Sequence, residues 1–115
     1  MLDKNNEPVL CDFVLSALIE ANSGKLTEYI GTKNYAAPEI LRNEPYSGIK
    51  CDIFSLAAIF FSLVFHKFGF SMATKSDPFY SLIIKKKYDE YWFYIGQKMG
   101  IGKVKNVSKE FKKLF

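Results

Sequence analysis

The side chains that could carry out chemistry are few in this sequence and lie far apart. His66 is the only histidine, and no Cys or Ser nucleophile can be assigned to it. It follows a long apolar run, where a cation suits the negative end of a helix dipole. Cys11 and Cys51 lack zinc-like spacing and sit in apolar surroundings. We therefore expect reduced, buried thiols in an intracellular, cytoplasmic protein.

A basic and aromatic stretch is the second place to look for chemistry. Lysines occupy residues 85–87, and an aromatic block follows: Tyr88, Tyr91, Trp92, Phe93 and Tyr94. Such a composition could suggest nucleic acid or a membrane surface as partner. The rings follow the lysines instead of alternating with them, and Asp89 and Glu90 interrupt the block. We therefore expect core packing and no nucleic-acid partner.

The element that must position everything else is the run from Asp52 to Phe65. Within residues 53–65 only Ser55 and Ser62 are polar, and there is no Gly, Pro or charge. A helix that is apolar all round is buried on every side, in a core or in lipid. Thirteen helical residues rise only about 20 Å, short of the roughly 30 Å of a bilayer core. We predict the central helix of a protein core, capped by Asp52, with no membrane span.

The chain is short for burying such a helix. It has 115 residues, of which 49% are hydrophobic and 17% aromatic, so it is not a disordered chain. A chain of this size buries about two-thirds of its unfolded surface. The helix competes with many aromatic side chains for that burial. We therefore expect the chain to be one piece of a larger domain.

The remaining segments predict a mainly α class with a small N-terminal β-hairpin. Residues 1–11 hold two short apolar runs around turn residues, which is typical of a hairpin. Residues 16–35 have no sustained period and predict a long loop. Helix starts are predicted at Pro38, at Asp77 with Pro78, and at Ser108, whose helix would be lined by Phe111, Leu114 and Phe115.

Three motifs follow one another in a fixed order. They are residues 9–16 (VLCDFVLS), residues 31–41 (GTKNYAAPEIL) and residues 46–56 (YSGIKCDIFSL). Together they resemble the C-terminal lobe of a eukaryotic Ser/Thr protein kinase, similar to the calcium-dependent and calmodulin-kinase-like members. The resemblance is close over residues 1–70 and looser beyond. It implies that residues 1–115 are a partial, kinase-like C-lobe with an activation segment at residues 12–39.

The first motif implies a metal ligand. Asp12, Phe13 and Val14 stand where the family has Asp-Phe-Gly, and the family's Asp holds the Mg²⁺ that bridges the ATP phosphates. Val14 departs from this pattern, because a β-branched residue resists backbone conformations that Gly permits. Taken without the resemblance, Asp12 could simply end a strand. The resemblance implies a degraded Mg²⁺ position at Asp12, with ATP and Mg²⁺ as family cofactors.

The second motif implies a surface for a peptide substrate. Gly31, Thr32 and Tyr35 fall where the family positions that peptide. Ala37, Pro38 and Glu39 match the family's Ala-Pro-Glu, which has a structural role.

The loop before this motif implies a phosphorylation region. Glu28 falls where many kinases carry a phosphorylated residue, so a fixed negative charge would replace the phosphate. The alternative is one more exposed Glu, since the Arg expected to pair with it is absent from the chain. Thr27 and Ser23 are candidate phosphoacceptors on the same loop.

The third motif implies an organising role for Asp52, which in the family accepts hydrogen bonds from the backbone of the catalytic loop. The family's Gly-rich loop, phosphate-binding Lys and His-Arg-Asp are absent from these residues. Phosphoryl transfer depends on positioning and charge stabilisation by those groups, so we expect no activity from this chain alone.

Three interpretations stay open. The chain is a piece of a Ser/Thr kinase that acts on a protein substrate and needs the rest of its domain. Alternatively it is a pseudokinase or docking module that binds a partner protein without catalysis, which Val14 favours. The intact substrate surface favours the first interpretation. The third is a truncated gene product without an independent role.

Overall fold

The computed structural model describes residues 1–19, 25–100, 104 and 107–113. Over these residues the chain is mostly helical, as predicted, and its named elements are five helices. They are α1 (Pro38–Leu41), α2 (Gly48–Phe65), α3 (Pro78–Ile84), α4 (Tyr88–Met99) and α5 (Lys109–Lys112).

The N-terminal segment contains one β-bridge and, among the described residues, no strand. An antiparallel bridge joins Leu2 and Pro8, where a small hairpin was expected. The turn between them is held by Asp3, whose Oδ1 accepts hydrogen bonds from the backbone N–H groups of Asn5 and Glu7, each at 2.8 Å. Backbone hydrogen bonds across the turn, from Asp3 to Glu7 and from Val9 to Met1 (both 2.9 Å), add to this side-chain turn chemistry.

Helix α2 begins earlier than the sequence predicted. Its first residue is Gly48, and Ser47 occupies the cap position without a side-chain capping hydrogen bond. Asp52 lies inside the helix, so the prediction that it caps the helix is wrong. The physical reason is that Lys50 and Cys51, although they interrupt the apolar run, are compatible with helical backbone.

The burial of α2 is one-sided. Its buried residues are Gly48, Cys51, Ala58, Phe61 and Phe65. A second apolar stripe at spacings of four and three residues is exposed by 43–64%: Ile49, Ile53, Leu56, Phe60 and Leu63. Residues at these spacings share one helix face. The prediction of all-round burial is therefore wrong for the described structure, which covers only one side of the helix.

The length argument against a membrane span also fails. Helix α2 has 18 residues with a mean hydropathy of 1.8, long and apolar enough to cross a membrane by those criteria alone. Eighteen residues rise about 27 Å, close to the roughly 30 Å of a bilayer core. A core helix of a soluble protein meets the same criteria, so a single such helix is weak evidence for a span.

The main core forms where the buried face of α2 meets α4. Its buried members are Phe61, Phe65, Tyr91, Trp92, Ile95, Met99 and Val104. The rings of Phe61 and Trp92 stack with centroids 6.1 Å apart. The aromatic block therefore divides: Tyr91 and Trp92 pack in the core as expected, whereas Tyr88, Phe93 and Tyr94 are exposed.

The last helix begins as predicted, because the Ser108 hydroxyl accepts a hydrogen bond of 3.1 Å from the backbone N–H of Phe111. Leu114 and Phe115, which were expected on the same side of that helix, lie outside the described residues.

Asp77 ties the start of α3 to the connection that precedes it. Its Oδ1 accepts hydrogen bonds from the N–H groups of Phe79 (3.0 Å) and Tyr80 (2.9 Å), which confirms the predicted cap. Its Oδ2 accepts from the N–H groups of Ser71 (2.9 Å) and Met72 (3.3 Å). The side chain is only 8% exposed. One buried carboxylate thus satisfies four backbone donors.

We predict that Asp77→Asn destabilises the chain, because an amide replaces one accepting oxygen with a donor that faces other donors. The expected loss is about 2–3 kcal/mol in the free energy of unfolding, measured by urea denaturation. Asp89→Asn, at an exposed carboxylate in the first turn of α4, is the matched control and should lower it by less than about 1 kcal/mol, the usual contribution of an acidic side chain there. Equal losses in the two variants would contradict the assigned role of Asp77.

Tyr91 brings a polar atom into the apolar core. Its hydroxyl is buried without a hydrogen-bond partner in the described part of the chain. Burial raises the pKa of this phenol. Gly69 is the reason the ring fits, because a Cβ there would contact the Tyr91 hydroxyl and lie 3.1 Å from the ring of Phe61.

We expect Tyr91→Phe to stabilise the chain by roughly 0.5–1 kcal/mol, because it removes an unsatisfied buried hydroxyl while keeping the ring. Tyr46→Phe is the matched comparison and should have the opposite sign. The buried Tyr46 hydroxyl donates a hydrogen bond of 2.9 Å to the carbonyl of Glu28, and its loss should cost about 1 kcal/mol. Thermal denaturation of both variants tests the pair, and a loss of stability in Tyr91→Phe would refute it.

Candidate functional site

An open cleft of about 590 Å³ lies between the N-terminal segment, the loop before α1 and helix α2. Its lining is mostly apolar, and it also contains the carboxylates of Asp12 and Asp52. Gly31, Thr32 and Tyr35 line the same cleft. The fold therefore brings together five residues that the sequence analysis singled out from three separate motifs.

Asp12 has a left-handed backbone with φ of 66°. Asp tolerates this region better than most residues, because its short polar side chain can bond locally. Val14 is not among the residues with positive φ, so its β-branched side chain meets no left-handed strain here. The turn is closed by Ser16, whose N–H and hydroxyl both donate to the carbonyl of Phe13, at 3.0 and 2.6 Å.

The donor set around Asp12 is small. No group of three or more His, Cys, Asp or Glu side chains that could hold a metal occurs within residues 1–19, 25–100, 104 and 107–113. Mg²⁺ is often bound through one or two carboxylates together with substrate phosphates. Asp12, which is exposed, fits the role of one such ligand and not of a complete site.

The loop that contains the predicted substrate surface is folded into a tight turn. Gly31 has φ of 97°, a conformation that side-chain-bearing residues rarely adopt. The carbonyl of Thr32 accepts hydrogen bonds from the N–H groups of Tyr35 (3.0 Å) and Ala36 (3.2 Å). Ser55 of α2 then donates its hydroxyl to the Tyr35 carbonyl at 2.9 Å. The turn is thus fastened to the central helix.

A second set of contacts fastens this turn to the connection between α2 and α3. The Tyr35 ring packs edge-on against Phe68, with centroids 5.1 Å apart. Asn34 donates its Nδ2 hydrogen to the carbonyl of Ser71 at 3.2 Å. Ser55 could have been recognised as an anchor from the sequence, because it is one of only two polar residues in the apolar run. Nothing in the sequence distinguished Asn34.

Glu39 lies in the first turn of α1, behind Pro38, and next to the buried Ala37. Its Oε1 accepts a weak hydrogen bond of 3.5 Å from the thiol of Cys51. The single arginine, Arg42, instead forms a two-point ion pair with Glu44, with both N–O distances 2.8 Å. Sulfur therefore serves as the donor to Glu39 within the described residues.

The loop that carries Thr27 and Glu28 is held by the backbone and the side chain of Tyr46. Leu26 and Tyr46 form an antiparallel bridge with two N–H···O bonds of 2.8 Å. The Tyr46 hydroxyl bonds to the Glu28 carbonyl. The side chains of Thr27 and Glu28 remain exposed on this fixed backbone. Ser23, the other candidate phosphoacceptor, lies outside the described residues.

The two cysteines differ sharply in environment. Cys51 is buried, in agreement with expectation, and burial raises the pKa of its thiol to about 12, with the charge of Glu39 adding to the effect. Cys11 is exposed, so the prediction that it is buried is wrong. Its surroundings in sequence are apolar, but the side chains around it line the open cleft instead of closing over it.

We predict that iodoacetamide at pH 8 modifies Cys11 in the folded chain and leaves Cys51 unmodified, because a thiol with a pKa near 12 is almost fully protonated and the side chain is inaccessible. In urea both should react. Peptide mass mapping with and without urea provides the measurement, and rapid native labelling of Cys51 would contradict the described packing.

The order of the three motifs, together with the helices and the shared cleft, indicates a protein kinase. Comparison with known proteins agrees with this class. The chain belongs to the protein kinase domain family, whose model matches residues 1–115. No solved structure matches the chain.

Individual relatives are Ser/Thr and related protein kinases from distant organisms. The chain is 40% identical over 62 residues to the G2-specific protein kinase fin1 of Schizosaccharomyces pombe, covering 54% of this chain and 8% of the relative. It is 44% identical over 66 residues to CBL-interacting protein kinase 28 of Oryza sativa (56% and 15%). It is 38% identical over 81 residues to the human serine/threonine-protein kinase Nek10 (70% and 6%). The matches therefore span 6–15% of these relatives' lengths.

Proposed function

We propose that this chain is part of the C-terminal lobe of a Ser/Thr protein kinase and transfers no phosphate by itself. The observation that carries the proposal is the uncovered apolar stripe of α2, which borders the cleft containing Asp12 and Asp52. In a complete domain this face would be covered by the helix and catalytic loop that precede the Asp-Phe-Gly position.

The size of the uncovered surface supports the proposal. The chain exposes 8513 Å², whereas a compact protein of this mass exposes about 6,400 Å². Its radius of gyration is 15.7 Å, against about 13 Å for a compact chain of 115 residues. Its extents of 46 × 40 × 21 Å describe a flattened body. The excess of roughly 2,000 Å² on this one chain is more than the roughly 800 Å² that each partner buries in a standard protein–protein interface.

The carboxylate of Asp52 also supports the interpretation that further protein covers the cleft. Its carboxylate is exposed and makes no hydrogen bond to the described residues, although it lies at the edge of an apolar cleft. A carboxylate in that position suits backbone N–H donors from a segment seated in the cleft. In the protein kinase family the catalytic loop supplies such donors.

The proposed division of roles follows the geometry. Asp12 would provide one oxygen ligand for Mg²⁺. Bound MgATP would supply the phosphoryl group, and its Mg²⁺ would neutralise the charge of the phosphates. Gly31, Thr32 and Tyr35 would hold the substrate peptide on a turn that Ser55 fastens to α2. In this arrangement the chain positions the substrate and contributes a metal ligand, while the general base and the phosphate-binding Lys come from the rest of the domain.

The loop at Thr27 and Glu28 is the proposed regulatory position. Both side chains are exposed on a backbone fixed by Tyr46. Either a permanent carboxylate at Glu28, as in the calcium-dependent kinases, or phosphorylation of Thr27 would place negative charge there. Arg42, the single arginine, is paired with Glu44, so we propose that the cation that pairs with this charge comes from another part of the kinase domain.

The second candidate is a cytoplasmic pseudokinase or docking module that binds a partner protein without catalysis. Its support is the departure from the family's Asp-Phe-Gly at Val14, although the backbone of Val14 is not left-handed. The two candidates differ in one measurable property, the recovery of phosphate transfer when the missing part of the domain is present.

Three tests address the proposal. The chain alone, incubated with MgATP and a generic Ser/Thr peptide, should give no phosphate transfer above a protein-free blank. Its gene should encode, in frame and upstream of the Met1 codon, the Lys and the His-Arg-Asp of the family. A protein that includes this upstream segment should phosphorylate the peptide, with the α2 stripe protected from hydrogen exchange.

Matched variants in the extended protein separate the candidates. Asp12→Asn should lower kcat on the order of a hundredfold by removing a metal ligand. Glu7→Gln, at an exposed carboxylate of the same segment, should leave it unchanged. A protected α2 stripe without any phosphate transfer would favour the pseudokinase, and metal-dependent turnover by the isolated chain would overturn the proposal.

A further inference from the structure

The connection between α3 and α4 consists of three lysines in one rigid turn, here called the lysine turn (residues 85–87). Lys86 donates its N–H to the carbonyl of Ile83 at 3.0 Å, and Lys87 donates to that of Leu82 at 2.9 Å. This pair of bonds is the Schellman arrangement that closes a helix C-terminus. The three backbone positions are therefore fixed by hydrogen bonds.

Lys86 occupies the left-handed position of this motif, with φ of 58°. Gly is the usual residue there, since it lacks the Cβ that makes a positive φ unfavourable. The turn thus carries a positive charge at the one site where glycine would fit the backbone best. Lys85 and Lys86 are exposed and form no ion pair with any residue that the structure describes.

Helix α4, which follows the lysine turn in the chain, exposes two neighbouring aromatic rings. Phe93 is 61% exposed and Tyr94 is 47% exposed, and their rings pack edge-to-face with centroids 5.6 Å apart. Lys87, Glu90 and Tyr94 follow one another at helical spacings of three and four, which places them on one face. Lys87 bonds to Glu90 at 2.7 Å, which fixes its side chain along that face.

Charge is distributed unevenly along the chain. Residues 75–113 contain ten lysines and four carboxylates, whereas residues 1–74 contain six Lys or Arg and eight carboxylates. Residues 78–99, which contain α3 and α4, contribute four of these lysines and two of these carboxylates, so this region has a net positive charge. Residues 1–74, which contain most of the cleft, have a net negative charge, so anions are attracted to the former and not to the latter.

We propose that the lysine turn and the Phe93–Tyr94 pair together dock an acidic segment of a partner protein that carries an aromatic or aliphatic side chain next to its carboxylates. The carboxylates would meet Lys85 and Lys86, and the apolar side chain would pack on the exposed rings. This surface lies outside the cleft, so it serves an active kinase and a pseudokinase equally.

The neighbouring acids favour a peptide over a larger polyanion. Asp89 and Glu90 lie in the first turn of α4, between the lysine turn and the exposed rings. A membrane plane or a continuous phosphate backbone would bring its own negative charges against these carboxylates. A short segment can contact the lysines and the rings while its backbone passes over the acids.

The test uses the full chain and a fluorescent peptide in which a run of glutamates adjoins one phenylalanine. Fluorescence anisotropy at low salt should show binding that weakens with added salt and is lost when the glutamates are replaced by glutamine. Lys85→Gln combined with Lys86→Gln should weaken binding roughly three- to tenfold. Lys4→Gln combined with Lys50→Gln, which removes the same charge elsewhere, should not.

Two further variants separate binding from folding. Lys86→Gly should raise the melting temperature, because it relieves the left-handed backbone, and yet weaken peptide binding. Phe93→Ala should weaken binding of the phenylalanine peptide more than that of its alanine counterpart. Equal effects of the two double lysine variants would overturn the proposal. So would lysine-turn-dependent binding of phosphatidylserine vesicles or of oligothymidine without binding of the peptide.

Discussion

One-sided packing of α2 is the constraint on which the rest of the structure depends. One face of the helix carries the core through Phe61 and Phe65 and, near its start, holds Cys51 against α1. The other face is equally apolar and remains uncovered. An apolar surface of this extent is costly in water, so the arrangement has a physical rationale when further protein covers it. The chain belongs to the protein kinase domain family, and its matches to the compared relatives span only a small share of their lengths.

Hydrogen bonds made by a few polar side chains fasten the cleft-lining turn to this helix and hold the connection that follows it. Ser55 interrupts the apolar run to hold the Tyr35 carbonyl, and Asp77 gathers the connection that follows α2. Asn34 joins the turn at residues 31–36 to that connection. Each of these anchors is a hydrogen bond to backbone, so the turn at Gly31 and Thr32 keeps its shape without depending on the identity of its exposed side chains.

The exposed regions divide into two chemically different surfaces. The cleft side is apolar with isolated carboxylates, which suits the remainder of a folded domain. The α3–α4 side is basic with two exposed rings, which suits an acidic segment. These two surfaces lie on different elements. Helix α4 packs in the core through Tyr91 and Ile95, whereas Phe93 on the same helix is exposed.

The sequence by itself determined the helical class, the cap at Asp77, the cap at Ser108 and the family, because these depend on local residue order and spacing. It did not determine where α2 begins or which of its faces is covered. Cys11 and Cys51 have similar apolar neighbours in sequence, yet only one is buried. Tertiary structure decided these points, since burial depends on which distant segments meet a face, and a uniformly apolar helix contains no periodic signal that distinguishes its faces.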